Sequence, residues 1–200
     1  MKIKKWILGD YQVNTYLIVS NNSAMLIDPG YESKEIINYI KDNNLNLEMI
    51  VMTHEHPDHI GAANFYKKTF NKALTIISKD AIQLLDKNVF PSACNKSLIV
   101  NYYVDGNEVL KLNELSFQLI KTPGHSPGGI SLYLKGFLFS GDTLFKNSIG
   151  RYDFYLGDFD TLKESVLKLY KLPPETVVYP GHGEKTTIGY ERKHNAFIRI

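Results

Sequence analysis

Residues 53–59 read Thr53-His54-Glu55-His56-Pro57-Asp58-His59. Three histidines and an aspartate lie within six positions. In an extended segment, residues two apart project to the same side, so His54 and His56 can grip one ion together. Pro57 bends the chain, and a helix is expected to begin near Asp58. Asp58 and His59 can then face a second point close by. Imidazole and carboxylate suit Zn²⁺, with Fe and Mn also compatible; without thiolates nothing here selects zinc strongly. A single loop histidine is ordinarily solvated or hydrogen-bonded. The density of this group is what points to chelation.

Working outward, the apolar run 48–52 reads as a buried strand that feeds into the cluster. Ala62, Ala63, Tyr66 and Phe70 mark one side of the helix after it. Upstream, the β-branched and aromatic stretch 13–20 reads as a strand. So does 24–27, which stops at the turn signal Asp28-Pro29-Gly30. Asp28 is expected to be a turn residue. A helix is expected from about Ser33, carrying Ile36, Ile37 and Ile40, with Asn43-Asn44 near its end. Downstream, 74–77 is a strand, and Ser78 caps a helix through about Lys87. Strands are expected over 99–104 and 109–110. Leu115, Phe117 and Leu119 alternate with polar residues, the period of a half-buried strand. Residues 130–134 and 137–140 form a hairpin closed by Lys135-Gly136. Asp160 is expected to cap a helix with Leu162, Val166, Leu169 and Tyr170 on one face, ended by Pro173-Pro174. A last strand (177–179) and a terminal helix (190–200) follow. Many short strands with interspersed helices predict two packed sheets with helices outside.

Two further histidines and an aspartate occupy comparable loops after predicted strands. His125 lies in Thr122-Pro123-Gly124-His125-Ser126-Pro127-Gly128, His182 in Pro180-Gly181-His182-Gly183, and Asp142 in Ser140-Gly141-Asp142-Thr143. Such loops hold side chains firmly yet leave them accessible. The sixth histidine, His194, sits beside Arg192 and Lys193 without a partner motif and is expected to be a surface or packing residue. Cys94 follows Phe90-Pro91-Ser92-Ala93 and is expected to be an inert thiol.

Composition narrows the function classes. The 200 residues carry 44% hydrophobic and 22% charged side chains, as expected of one globular domain over 1–200. The 23 Lys+Arg against 21 Asp+Glu leave a net charge of +2, too little for an extended nucleic-acid footprint. With one cysteine, neither an intrachain disulfide nor a cysteine-based zinc knuckle can form. The basic start Met1-Lys2-Ile3-Lys4-Lys5 has no long apolar run after it, and no stretch approaches the roughly 18–20 apolar residues of a bilayer span. A cytoplasmic location and no membrane partner are therefore expected.

The segments 53–59, 122–128, 140–145, 150–154 and 180–183, in that order, resemble the metallo-β-lactamase superfamily, specifically its short bacterial glyoxalase II-like (hydroxyacylglutathione hydrolase-like) branch. The resemblance covers nearly the whole chain. It implies an α+β fold, an αββα four-layer sandwich with two mixed sheets and a metal site at their edge. It implies two divalent cations, taken as Zn with Fe or Mn compatible. His54, His56 and His125 would hold one cation; Asp58, His59 and His182 would hold the other, with Asp142 between them. Asp58 would also orient the attacking water, which the cations ionise. Arg151, in Gly150-Arg151-Tyr152-Asp153-Phe154, matches the basic residue that helps hold glutathione; a structural ion pair is its plain alternative.

The implied activity is hydrolysis of a small-molecule thioester such as S-D-lactoylglutathione. The helical region that follows the domain in glyoxalase II does not follow His182 here, so a more open cleft is expected. Two relatives of the same fold remain as alternatives: a persulfide dioxygenase-like mononuclear iron oxidoreductase, which shares the Gly-Arg-x-Asp-Phe stretch, and a lactone hydrolase. β-Lactam hydrolysis of the class B1 kind is not expected, because a Cys stands in those enzymes where Asp142 stands here.

Overall fold

The computed structural model describes residues 1–85 and 98–200. One sheet is built from β1 (Lys2–Leu8), β2 (Val13–Ser20), β3 (Ser23–Ile27), β4 (Asn46–Val51), β5 (Leu74–Ser78) and β6 (Tyr102–Val104), in that spatial order. β1 to β3 are antiparallel neighbours, and β3 to β6 run parallel. The parallel steps need crossovers, which α1 (Lys34–Asp42), α2 (Pro57–Ile60) and α3 (Ala63–Thr69) supply. The 3-10 turn Lys79–Ala81 and α4 (Ile82–Leu85) follow β5.

The second sheet contains β7 (Val109–Leu112), β8 (Leu115–Lys121), β9 (Ile130–Leu134), β10 (Phe137–Gly141), β13 (Val177–Pro180) and β14 (Thr186–Thr187). Its spatial order is β14-β13-β10-β9-β8-β7. A short hairpin of β11 (Leu144–Phe145) and β12 (Ser148–Ile149) interrupts the chain after β10, and α5 (Phe159–Leu169) and α6 (Ile188–His194) cover this sheet.

Three apolar layers hold the stack together. Alternate residues of β2 serve two of them. Tyr16 and Ile18 face the space between the sheets with Met25, Val51, Phe117 and Phe139, whereas Leu17 and Val19 face α1 and α3 with Ile36, Ile40 and Tyr66. This is why 16–19 of β2 read as an unbroken apolar run: both faces of the strand are covered. Leu162, Val166 and Leu169 of α5 pack with Leu138, Val178 and Ile188 on the far side of the second sheet. The result is the expected α/β/β/α sandwich.

Several local expectations need correction. β1 adds a strand to those expected; its lysines belong to an edge strand on which only Trp6 is buried. The helix expected from Asp58 is two short helices, α2 and α3, broken at Gly61-Ala62, where Ala62 N–H donates to Pro29 O at 2.9 Å. The cap of α5 is Asp158, not Asp160: Asp158 is extended and its carboxylate accepts from Thr161 N at 2.8 Å, while Asp160 lies in the first turn. The strand over 99–104 contracts to β6. The terminal helix is α6, earlier and shorter than 190–200, because the Asn195 side chain accepts from the N–H groups of Phe197 and Ile198 and turns the chain out of it. Ser78 caps a 3-10 turn through Asp80 N, and the end expected near Lys87 lies outside the described residues, as does Cys94. Among the described residues no helix is long and apolar enough to cross a membrane.

Candidate metal centre

The strand ends converge at one edge of the two sheets. β3 runs into Asp28, β4 into residues 53–59, β8 into the His125 loop, β10 into Asp142 and β13 into His182. The His182 loop is pinned across the sheets: Val13 bridges His182, and Asn14 N–H donates to Gly181 O at 2.7 Å. Gly181 must be glycine, because a Cβ there would fall on the Asp142 carboxylate.

Seven expected side chains meet at this edge. His54 Nε2 lies 3.1 Å from His56 Nδ1. His59 Nε2 lies 3.3 Å from His182 Nε2 and 3.6 Å from Asp58 Oδ2. His182 Nε2 is 3.2 Å from Asp58 Oδ2. Asp142 reaches both groups, with Oδ1 3.4 Å from His59 Nε2 and Oδ2 3.6 Å from His125 Nε2. Ligand atoms of His54, His56 and His125 lie within 4.8 Å of one another, as do those of Asp58, His59 and His182 and those of His54, His59 and Asp142.

This donor set fits divalent cations. Four of the histidines are buried, and His54, His59 and His125 each turn Nε2 toward the cluster. Among the described residues, His125 Nε2 is buried with no hydrogen bond, and Asp142 Oδ1 also makes none. A buried polar atom without a partner is costly, and a cation among these atoms would satisfy them.

The opposite ring nitrogens are held by the surrounding shell. His59 Nδ1 donates to Asp28 Oδ2 at 2.9 Å, and His125 Nδ1 donates to Arg151 O at 2.6 Å. His54 Nδ1 lies 3.1 Å from Thr53 Oγ1, which donates to Asp28 Oδ2 at 2.7 Å. With Nδ1 carrying the proton in each ring, Nε2 is left with its lone pair facing the cluster. Asp28 therefore does more than turn the chain. It does turn it, at φ 52, but its buried carboxylate also orients His59 directly and His54 through Thr53. Its side chain was missed in the sequence because the pairing spans 31 positions.

Burial and mutual repulsion hold the pKa of His54 well below the ordinary 6.5. Burial, then the neighbouring His125 and His59, pushes His56 down to about 3. Burial also lowers His125, partly offset by Asp142. Burial opposes charge on His59 as well, but the Asp142 and Asp28 carboxylates outweigh it and hold its pKa well above the ordinary value. His182 is raised too, its hydrogen bond to Asp58 and the Asp142 charge outweighing burial. Burial works against ionised Asp142 and Asp58, but the adjacent histidines hold both below the usual carboxylate range.

A cleft of about 720 Å³ opens over the cluster, walled by Tyr11, Phe145 and Phe154, with Arg151 beside them. Arg151 is exposed, stacks 4.2 Å over the Phe154 ring and makes a two-pronged ion pair with Asp153 at 2.9 and 2.8 Å. His194 lies away from the site on α6, exposed and tilted against Tyr190.

An αββα sandwich with a dense histidine–aspartate cluster at the open edge of its sheets defines a class of metal-binding enzyme folds. Residues 8–182 match the model of the metallo-beta-lactamase superfamily, and the chain belongs to that family. It is 32% identical over 206 residues to the Bacillus subtilis (strain 168) protein named Probable metallo-hydrolase YqgX, covering 99% of this chain and 98% of that one. It is 34% identical over 203 residues to Hydroxyacylglutathione hydrolase GloC of Haemophilus influenzae, covering 94% and 93%. Among solved structures it is similar to the BLEG-1 B3 metallo-beta-lactamase (TM-score 0.90, 33% identity, 98% and 99% covered). It is also similar to TTHA1623 in a di-iron-bound form (TM-score 0.86, 32% identity, 98% and 100% covered).

Proposed function

We propose that this protein hydrolyses thioesters, S-D-lactoylglutathione among them, with two divalent cations at the candidate centre. The observation that carries the reading is the pair of ligand groups, His54–His56–His125 and Asp58–His59–His182, with Asp142 reaching both. Zinc suits this donor set, and iron or manganese is compatible with it; the likeness to a di-iron protein supports keeping iron in view. When bound, such cations supply Lewis acidity and a water ionised near neutral pH.

The protein's own part is binding and orientation. Asp58 and Asp142 bring two negative charges, which leave a centre still positive enough to attract a carbonyl oxygen. Asp58, on the cleft wall, is placed to accept a hydrogen bond from the attacking water. Tyr11, Phe145 and Phe154 offer apolar surface to the acyl or thiol portion, and Arg151 offers a cation to an anionic thiol. A thiolate leaves readily because thiols titrate near 8.5, so no strong general acid is required. The likeness to GloC supports the thioester class.

The test is turnover of S-D-lactoylglutathione by metal-loaded protein. His54→Ala and Asp142→Ala are expected to abolish it, and a metal-replete wild type that leaves the thioester intact would remove the substrate assignment. The likeness to BLEG-1 makes a β-lactam the proper parallel substrate; turnover of the β-lactam but not of the thioester would favour that chemistry instead.

A further inference from the structure

His125 arrives from the loop between β8 and β9, on a different sheet from His54 and His56. Between those two histidines stands Glu55, whose side chain leaves the segment in another direction. Glu55 is fully buried. Its Oε2 accepts from Ser126 Oγ at 3.0 Å, and its Oε1 accepts from Gly128 N–H at 3.2 Å. Ser126 directly follows His125 and is also fully buried. The fit is close: a Cβ on Gly128 would fall on the Glu55 carboxylate, so only glycine admits it there. A buried carboxylate is costly unless hydrogen-bonded, and this one spends both oxygens on the loop that carries His125.

We propose that Glu55 is a positioning residue that sets His125 against His54 and His56, so that cation affinity at this group depends on the hydrogen bonds Glu55 accepts from Ser126 and Gly128. The proposal rests on the reading that these three histidines share a cation. The other group is anchored independently. His59 is held by Asp28. The His182 loop is held by Asn14 Nδ2, which donates to Pro180 O and Gly183 O at 2.9 and 3.0 Å, and by Tyr16 OH, which donates to Pro180 O at 2.7 Å. Loss of the clamp therefore weakens one site selectively. A residue that merely supported the fold would weaken both alike.

The experiment is titration of metal-free full-length protein with Co²⁺, read by visible absorption and by competition with a chelator. Wild type is expected to bind two equivalents. Glu55→Ala is expected to keep one at wild-type affinity and to weaken the other by about tenfold or more, the usual scale for residues that orient ligands. His125→Ala identifies that equivalent by losing the same one. Glu55→Gln keeps an oxygen for Gly128 N–H and gains a donor for Ser126 Oγ, so it is expected to restore affinity. Ser126→Ala, a milder change should Glu55→Ala fail to fold, is expected to weaken the same equivalent by less. Unchanged affinities in Glu55→Ala and Ser126→Ala, or an equal loss at both sites, would overturn the clamp. A wild type that binds a single equivalent would overturn the dinuclear reading; the clamp survives only if that equivalent is lost in His125→Ala and weakened in Glu55→Ala, and falls otherwise.

Discussion

Replacing Asp28 by Asn exchanges one oxygen for an NH₂ in a side chain that is 2% exposed. Asp28 accepts three hydrogen bonds: from Thr53 N at 2.7 Å, Thr53 Oγ1 at 2.7 Å and His59 Nδ1 at 2.9 Å. The amide oxygen of Asn can keep the bond from Thr53 N–H. Its NH₂ then faces His59 Nδ1, which must accept instead of donate. The His59 proton moves to Nε2, the atom that faces Asp58, Asp142 and His182. A protonated Nε2 has no lone pair for a cation. Substitutions in the shell behind metal ligands typically cost about 10–100-fold in affinity, or about 1.4–2.8 kcal/mol. A hydrogen bond to a charged group contributes about 1.5–3 kcal/mol to stability, which lowers the melting temperature of a chain this size by about 3–12 °C. The assay is calorimetric titration of the metal-free variant with Zn²⁺ beside thermal melts. The equivalent at His59 is expected to weaken by about 10–100-fold, and the one at His54 by less, because Thr53 Oγ1 also loses its acceptor on Asp28 Oδ2. Two equivalents at wild-type affinity would refute the assignment of the His59 tautomer to Asp28.

Arg151→Ala removes an exposed ion pair, so stability is expected to change by less than about 1 kcal/mol while KM for S-D-lactoylglutathione rises with kcat held; an unchanged KM reduces Arg151 to a surface ion pair. In the metal-free protein, the folded pKa values of His54, His56 and His125 lie below 6.5, so their contribution is present above 6.5 and is lost as pH falls through it, towards about 3 for His56. The raised values of His59 and His182 give a contribution present below 6.5 and lost as pH rises through them. Melting temperature is expected to peak near neutral pH and fall on both sides; a monotonic rise through this range would contradict the cluster's electrostatics. Gly181→Ala places a methyl group on the Asp142 carboxylate and is expected to cost about 10²-fold in turnover, the scale of a 1 Å misplacement, measured by steady-state kinetics with the fold checked by circular dichroism.

Most of the framework is legible in the chain because local chemistry and burial agree there. The apolar runs 16–19 of β2 and 49–51 of β4 are buried, Ser33 caps α1 through Ile36 N, and Gly136 closes the β9–β10 hairpin at φ 89. β1 carries no strand signal because an edge strand needs no apolar alternation and its lysines look like a solvated tail. Asp158 and Asp160 offer the same capping chemistry two positions apart; only the backbone conformation of Asp158 separates them. At the site, the gathering of loop histidines is visible in the motifs. The roles of Asp28 and Glu55 are not, because each acts on a residue brought near by the packing of other elements. Asp28 sits in an ordinary turn signal, and Glu55 stands between two histidines in a segment with no periodicity to show that its side chain is buried.

Zinc-loaded crystals measured across the zinc absorption edge test the dinuclear centre most directly. Two anomalous peaks are expected, about 3.5–4 Å apart, one beside His125 and the other beside His182, with Asp142 between them. One peak, or none within reach of these side chains at full zinc loading, would contradict it.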